Sequence, residues 1–361
     1  MRPFSTLTAL PLSRRRLLQG LLLWASAPAG FAASGPQLQL LAGQPLQSGH
    51  SDGMAEQALF FDPRGLANDP RNGDLIVADA ANALIRRIDA QGQVSTLAGA
   101  ASQRASVDGA ALQARFVGPD AVLVGADGTI YIADSYANTV RLLRDGHVRT
   151  LAGSPGESGS ADGRGEQALF NHPVGLALQP GSSVLWLADA YNHTLRRIDA
   201  DGQVSTAGGE ANRPGHRDGA LEQALFDTPV GLAAAADGSL FVSEYFNHTV
   251  RRISPDGQVT TLAGQPGEAG DADGLGAQAR LNKPQQLCLD VDGSLLLADG
   301  GNGKIRRISR AGLVSTVAGG GSSEQIELGP LPGHLLTPYG VALAPAGGIA
   351  VSSGQALLRI R

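Results

Sequence analysis

Residues 189–198 read Asp-Ala-Tyr-Asn-His-Thr-Leu-Arg-Arg-Ile, and this stretch decides the fold because it returns in closely similar form along the chain. Residues 244–253, for example, read Glu-Tyr-Phe-Asn-His-Thr-Val-Arg-Arg-Ile. Self-similarity at a fixed period indicates a repeat architecture and outranks local propensities. The acidic residue that opens the stretch recurs every 55 residues, at Asp79, Asp134, Asp189, Glu244 and Asp299.

Two further markers recur with nearly the same period. Because one of these markers, a proline, occurs six times, six copies of the repeat fill nearly all of the chain beyond its first 36 residues. An Asp-Gly pair begins at Asp52, Asp108, Asp162, Asp218 and Asp273. A proline that precedes an apolar run recurs at spacings of 54–56 residues, at Pro63, Pro119, Pro173, Pro229, Pro284 and Pro338.

Each repeat contains four short segments with the character of strands. In the third copy these are residues 175–178, 184–188, 194–198 and 203–206, with turn residues between them. Asp-Gly turns supply the positive φ that tight hairpins need. Four antiparallel strands per unit, repeated six times, predict an all-β fold, a six-bladed β-propeller with four-stranded blades.

The two ends of the chain predict how the ring closes. The last copy, from Pro338, has room for only three strands before the chain ends at Arg361. Residues 38–42 match residues 94–98, the outer strand of the first full copy. We therefore expect the N-terminal strand to pair with the C-terminal blade, which removes exposed sheet edges.

The segments quoted above resemble the NHL repeat, with its Asn-His-Leu-type core and following Arg, and the resemblance covers residues 37–361. Five copies match well, although only His193 and His248 keep the histidine and the sixth copy, residues 352–354, has lost the acid. The resemblance implies a six-bladed propeller. It leaves function open, because similar propellers are protein-binding or RNA-binding platforms and also sugar-lactone hydrolases or lyases. The asparagine of the core is kept at Asn82, Asn192, Asn247 and Asn302 and is shifted to Asn138 in the second copy.

Composition excludes several classes of protein. With 42% hydrophobic residues and 17% charged residues in 361, the chain has the composition of a globular protein and not of a disordered one. Its single cysteine, Cys288, excludes an internal disulfide and any cysteine-cluster metal site, and we expect it to be a small buried hydrophobe. The formal net charge of −5 disfavours binding to a phosphate backbone.

The N-terminus resembles an export signal. Residues 13–19 read Ser-Arg-Arg-Arg-Leu-Leu-Gln and precede a modestly apolar stretch that ends in small residues. This pattern favours a twin-arginine signal over residues 1–33, and the basic flank of an ordinary secretory signal is the alternative. Either reading predicts a periplasmic or secreted protein without a bilayer-spanning segment.

Residues that recur in every copy are expected to serve the fold. This group includes the acids of the 55-residue series, which we expect to cap backbone N–H groups or to pair with an arginine of the third strand. The Asp-Gly pairs lie in long connections, where we expect tight turns held by the Asp side chain. Residues 270–274 resemble the start of a calcium loop but lack its bidentate Glu. The other recurring residues are the Arg86-Arg87 type pairs and Phe60, Phe116, Phe170 and Phe226.

Residues that differ between copies are the better candidates for function. The residue after each marker proline is expected at the channel mouth, and these six differ as an asymmetric ligand site requires. If the protein is an enzyme, Asp120 is the candidate metal ligand or base, Arg64 an anion clamp, and Gln285 and Tyr339 orienting groups. The six are Arg64, Asp120, Val174, Val230, Gln285 and Tyr339.

A second non-repeating set is aromatic. Tyr136, Tyr191, Tyr245 and Phe246 follow the acids in the turns between second and third strands. They form either a contact surface for a partner or glycan, or packing beneath the long loops. The seven histidines, among them His172 before a marker proline, show no spacing typical of a zinc site.

The sequence favours a non-catalytic platform that binds a protein, peptide or glycan, because unique catalytic groups are scarce. The alternative is a metal-assisted hydrolase or lyase, lactonase-like or amidating-lyase-like, with its site at the channel mouth. We expect no cofactor, with calcium at Asp120 as the exception if a metal is bound. We also expect a monomer that binds no nucleic acid.

Overall fold

The computed structural model describes residues 35–320 and 325–361. The predicted export signal, residues 1–33, lies outside the described residues. Among the described residues there is no helix with the length and apolar character needed to cross a membrane.

The described strands form six antiparallel sheets, one for each repeat, which we number as blades 1 to 6 in the order of their inner strands. The inner strands are Pro63–Asn68, Pro119–Val124, Pro173–Leu178, Pro229–Ala234, Pro284–Leu289 and Val341–Leu343. The second strands are Leu75–Asp79, Ile130–Asp134, Leu185–Asp189, Leu240–Glu244, Leu295–Asp299 and Ile349–Ser353. The third strands are Leu84–Ile88, Thr139–Arg144, Thr194–Ile198, Thr249–Ile253, Lys304–Ile308 and Ala356–Ile360. The outer strands are Gln93–Gly99, His147–Ala152, Gln203–Gly208, Gln258–Ala263, Leu313–Gly319 and, for blade 6, Gln37–Gly43.

The six-bladed propeller is confirmed, but the prediction of four strands per blade is wrong. Each blade has a fifth strand of two residues, which we call the edge strand, and it pairs antiparallel with the outer strand. It begins at the Gly of the Asp-Gly pair in five blades, where the preceding Asp bonds to the outer strand. The edge strands are Gly53–Met54, Gly109–Ala110, Gly163–Arg164, Gly219–Ala220, Gly274–Leu275 and Gly329–Pro330.

Each of blades 1 to 5 contains at least one short 3-10 turn. One set follows the edge strands, at Ala55–Gln57, Gly165–Gln167, Leu221–Gln223 and Gly276–Gln278. The other set joins second to third strands, at Ala80–Asn82, Ser135–Ala137, Ala190–Asn192 and Gly300–Asn302.

The predicted closure of the ring is confirmed. Gln37–Gly43 forms the outer strand of blade 6 and pairs with Ala356–Ile360, with Leu38 opposite Ile360 and Leu40 opposite Leu358. At the end of this pairing, the Gln37 N–H donates to the Arg361 carbonyl at 2.7 Å. The first and last described strands of the chain thus share one sheet.

Closure can be tested with two neighbouring residues on opposite faces of the closing strand. Leu38 is buried in the core of blade 6 and Gln39 is exposed. We expect Leu38→Asp to lower the free energy of unfolding by about 3 kcal/mol or more, because it removes a buried apolar side chain and introduces a carboxyl without a partner. Gln39→Asp serves as the control, and urea denaturation measures both. Equal effects of the two substitutions would contradict the observed closure.

A buried arginine joins three parts of each of blades 1 to 5. In blade 3, the Arg196 guanidinium donates to Asp189 at 2.8 Å and to Asp162 at 2.7 Å. Asp162 in turn accepts hydrogen bonds from the backbone N–H and hydroxyl of Thr206 in the outer strand. The equivalent arginines of the other blades are Arg86, Arg141, Arg251 and Arg306, and all five are buried.

These contacts confirm the structural role expected for the recurring acids, and they correct the expectation for the Asp-Gly pairs. Asp189 pairs with an arginine of the third strand, as predicted, and also accepts the Asn171 N–H at 2.7 Å. Asp162 does not hold a local turn. Its side chain crosses to the third and outer strands, because the buried guanidinium needs a second carboxylate.

Blade 6 lacks the whole cluster. Its third strand carries Leu358 where the other blades have arginine, and Ser353 replaces the acid of the second strand. Leu328 stands before the edge strand in place of Asp, and Leu40 replaces the threonine of the outer strand. Loss of all four polar groups together leaves no buried charge without a partner.

Blade 6 suggests a test of how the cluster contributes to stability. We expect Arg196→Leu alone to cost about 3–5 kcal/mol of unfolding free energy, because Asp189 then lies buried and unpaired. The quadruple variant D162L/D189S/R196L/T206L copies blade 6, and we expect it to cost less than the single substitution. Urea denaturation measures the loss of unfolding free energy in both proteins. A larger loss in the quadruple variant than in Arg196→Leu would show that the four groups do not act as one unit.

Candidate functional site

The residues that follow the six marker prolines surround one pocket at the mouth of the central channel. Its volume is about 290 Å³. The residues that line it from the six blades are Arg64, Asp120, Val174, Val230, Gln285 and Tyr339. A ring of equivalent positions thus carries six side chains of differing chemistry, so the mouth is asymmetric although the scaffold is repetitive.

The aromatic residues of the second predicted set line the same pocket. Tyr136 and Tyr191 lie in 3-10 turns of blades 2 and 3, and Tyr245 and Phe246 occupy the corresponding turn of blade 4. Tyr136, Tyr191 and Phe246 are each about half exposed, at 56%, 52% and 52%. The structure therefore joins the candidate catalytic residues and the candidate binding residues in a single site, which we call the mouth pocket.

The Arg64 guanidinium at the mouth pocket is paired within the protein, whereas the Oδ2 atom of Asp120 is buried and accepts no hydrogen bond from the described residues. The Arg64 guanidinium contacts Asp120 at 2.6 Å and Asp62 at 2.9 Å, and it lies over the Tyr339 ring at 5.3 Å. Asp120 is fully buried, and burial raises the pKa of its carboxyl although Arg64 and His172 oppose the change. Arg64 is thus already paired with two carboxylates, which weakens the sequence-based role of an anion clamp.

His172 belongs to the site, and the sequence interpretation missed it. Its Nε2 atom lies 3.5 Å from the Asp120 carboxylate. The ring stacks on Tyr191 at 4.5 Å and meets Tyr136 edge-on at 5.2 Å. The residue before each marker proline varies as much between copies as the residue after it, and this variation is the signal that could have identified His172.

The residues before the marker prolines have an unusual backbone conformation. Five of them have positive φ, between 40° and 56°, which is costly for residues other than glycine. The preceding blade supports this conformation: Asn138, His193 and His248 each accept a hydrogen bond from such a residue in the next blade. The histidine of the repeat core therefore links neighbouring blades at the channel mouth. The five residues are Asp62, His172, Thr228, Lys283 and Thr337.

Side chains suited to a metal ion do not cluster in the described part of the chain. No group of three or more His, Cys, Asp or Glu side chains arranged to hold a metal occurs in residues 35–320 and 325–361. In the segment that resembles a calcium loop, Asp271 bonds to Lys304 at 2.6 Å and Asp273 bonds to Arg306 at 2.5 Å. Both carboxylates of this segment are thus paired with protein cations.

Gln286 lies across the channel below the mouth pocket. Its side-chain amide donates to the Leu66 carbonyl at 2.7 Å and accepts the Leu66 N–H at 3.0 Å, which joins blade 5 to blade 1. The space that remains inside the channel is about 20 Å³, room for about one water molecule. The mouth pocket therefore ends blindly.

The opposite end of the channel is an apolar hollow of about 350 Å³. Leu, Val and Ala side chains of the inner strands form most of its lining, together with Asn68, Gln286 and Cys288. Cys288 is partly buried, and burial raises the pKa of its thiol to about 12. The sequence predicts a small buried hydrophobe here, and the structure shows a cysteine among apolar side chains that is only partly buried.

The histidine of the mouth pocket should have a pKa below its usual value. Burial lowers the pKa of His172 below its usual 6.5, and the Asp120 carboxylate partly opposes this effect. Because the folded pKa is depressed, His172 contributes stability that is present above pH 6.5 and is lost as the pH falls through the folded pKa. We expect NMR titration to give a pKa below 6.5, and a lower one in Asp120→Asn.

The His172→Gln spectrum assigns the resonance in that titration. A pKa of 6.5 or above, or a rise in Asp120→Asn, would contradict the observed geometry.

Comparison with proteins of known sequence finds relatives that share these repeats. The chain is 29% identical to SUPPRESSOR OF QUENCHING 1 of Arabidopsis thaliana over 73% of its length, and 30% identical to NHL repeat-containing protein 2 of Gallus gallus over 72%. It spans only 26% and 40% of those two proteins. No family model matches the chain.

Solved structures with low sequence identity share the fold. An auxiliary nutrient binding protein from Bacteroides thetaiotaomicron has a TM-score of 0.70 and 16% identity, over 90% of this chain and 76% of that one. A gluconolactonase from Xanthomonas campestris has a TM-score of 0.58 and 16% identity, over 90% of each chain. A streptogramin B lyase has a TM-score of 0.55 and 12% identity, over 90% of this chain and 98% of that one.

Proposed function

This chain is an NHL-repeat six-bladed β-propeller, and we propose that it is a binding platform whose ligand site is the mouth pocket. One observation carries the proposal. Six different residues at equivalent repeat positions and four aromatic side chains from neighbouring turns line the same blind pocket. Concave sites with an apolar wall and a few polar groups are typical of ligand binding.

Each part of the mouth pocket has a role in this proposal. Val174 and Val230 form an apolar floor, and Tyr136, Tyr191 and Phe246 offer aromatic surface. The pair of Arg64 and Asp120 supplies a polar wall that stays in place without a ligand. The similarity in fold to a nutrient-binding propeller supports a binding role.

The location and partners of the protein are also proposals. The pattern of residues 1–33 supports export, by the twin-arginine pathway, to the periplasm or beyond the cell. The negative net charge supports a partner other than nucleic acid. We propose that the protein acts as a monomer and needs no cofactor.

Blocking the mouth pocket tests the binding proposal. Val230→Tyr introduces the residue that blade 6 carries at the equivalent position, Tyr339, and its larger side chain fills part of the pocket. Soluble peptides and oligosaccharides are first screened for those that raise the melting temperature of the full chain. We expect the same compounds to leave the melting temperature of Val230→Tyr unchanged.

The control, Cys288→Leu, narrows the apolar hollow at the other end of the channel and copies Leu123 of blade 2. Loss of the effect in the control and not in Val230→Tyr would place the ligand site at the opposite end.

A second candidate function is catalysis in the same pocket by a hydrolase or lyase. The observation that favours it is the approach of His172 to Asp120, at 3.5 Å, because a carboxylate there can orient a neutral imidazole and stabilise the charge that the ring gains when it accepts a proton as a general base. Similarity in fold to a gluconolactonase and a lyase supports it as well. Two measurements separate the candidates: chemical analysis of the ligand after incubation with the protein, and elemental analysis of the purified protein for calcium. A ligand that is recovered unchanged, together with less than one calcium per chain, would favour binding without catalysis.

A further inference from the structure

We infer that the ligand of the mouth pocket is the terminal unit of a neutral saccharide. This inference rests on the proposed binding function and names the ligand class. Three properties of the pocket carry it: its charged residues already pair with each other, its neutral polar groups have no hydrogen-bond partner in the described part of the protein, and its lining combines apolar and polar surface.

The charges of the pocket disfavour an ionic ligand. Arg64 and Asp120 are the charged residues that line it, and their side chains bond to each other at 2.6 Å. Asp62 adds a second carboxylate to Arg64. At the rim, the Lys283 ammonium lies 5.6 Å from the Tyr245 ring in a cation–π contact. A charged group that enters the pocket beyond Lys283 would have to break the pair of Arg64 and Asp120 or remain unpaired itself, and both are costly.

The neutral polar groups of the pocket are available for a ligand. Within residues 35–320 and 325–361, the hydroxyls of four tyrosines and one side-chain amide form no hydrogen bond to the protein. Phenol hydroxyls and amides both donate and accept, so together they match a ligand that carries several hydroxyl groups. The five residues are Tyr136, Tyr191, Tyr245, Gln285 and Tyr339.

The lining of the pocket has an apolar part and a polar part, and a sugar ring likewise has an apolar C–H face and a polar rim of hydroxyl groups. Aromatic faces and the apolar floor of Val174, Val230 and Ala190 meet the C–H face of a pyranose, and the hydroxyls and the Arg64 wall meet its polar rim. His172 stacks on one side of Tyr191 and fixes the orientation of that ring. A preoriented tyrosine binds with little loss of side-chain freedom.

The dimensions of the pocket favour a chain end over a chain interior. Its volume of about 290 Å³ is at the small end of the range for ligand sites, and Gln286 closes the channel beneath it. A saccharide chain cannot pass through. We therefore place one terminal ring in the pocket, with the rest of the chain directed away from the channel.

The experiment compares ligands that differ in charge. We expect isothermal titration of the full chain to detect binding of at least one of three neutral trisaccharides, maltotriose, cellotriose or chitotriose. The matched probes are the same trisaccharides with the terminal primary alcohol oxidised to a carboxylate, together with an uncharged, end-blocked tripeptide. We expect the oxidised forms to bind at least tenfold more weakly.

Three variants locate the bound ring. We expect Tyr191→Phe, which removes only the hydroxyl, to weaken binding three- to tenfold, and Tyr191→Ala to weaken it more than tenfold. Tyr131→Phe is the control, because Tyr131 lies in the cleft between blades 2 and 3 and not in the mouth pocket. Equal effects of Tyr191→Phe and Tyr131→Phe would overturn the assignment.

The outcomes separate this inference from the function on which it rests. If the tripeptide or an oxidised trisaccharide binds best and Val230→Tyr abolishes that binding, the saccharide inference is wrong and the binding platform stands. If every probe that binds is indifferent to Val230→Tyr, both proposals are wrong. Failure of all three neutral trisaccharides to bind overturns the saccharide inference.

Discussion

The buried arginine of each of blades 1 to 5 is the interaction on which the rest of the structure depends. A guanidinium without exposure to water must be paired, and its two carboxylates come from different parts of the blade. The acid that receives Arg196 also holds the Asn171 N–H, next to His172. The ion cluster inside the blade therefore extends directly to the segment that shapes the channel mouth, so core electrostatics and site geometry have a common origin.

Residues that repeat between blades build the fold, and residues that differ between blades form the candidate site. The repeated acids, arginines and outer-strand threonines build five nearly equivalent blades, and blade 6 replaces them with Ser353, Leu358 and Leu40. At the channel mouth, by contrast, equivalent positions carry different residues, such as Asp120 in blade 2 and Val230 in blade 4. A scaffold of similar blades can thus hold an irregular site, because the backbone positions are shared and only the side chains differ.

Most of the fold could be predicted from the 55-residue period, and the matching ends of the chain were sufficient to predict closure by residues 38–42. The edge strands could not be predicted, because two residues carry no alternation pattern. His172 was missed for a physical reason. A residue before proline is expected to be extended, whereas His172 has φ of 56°, which turns its side chain towards Asp120. The pairing of Arg64 with Asp120 joins two blades and has no local signal.

Completion of blade 6 by Gln37–Gly43 has a consequence for the behaviour of the chain at high concentration. The strand that closes the ring, Gln37–Gly43, pairs with Ala356–Ile360 near the other end of the chain. If Gln37–Gly43 is released, both this strand and the edge of Ala356–Ile360 lose their hydrogen-bond partners. The same strand of a second molecule offers identical hydrogen bonds to that edge. Reciprocal exchange would give a domain-swapped dimer with the same blades and no new interface chemistry.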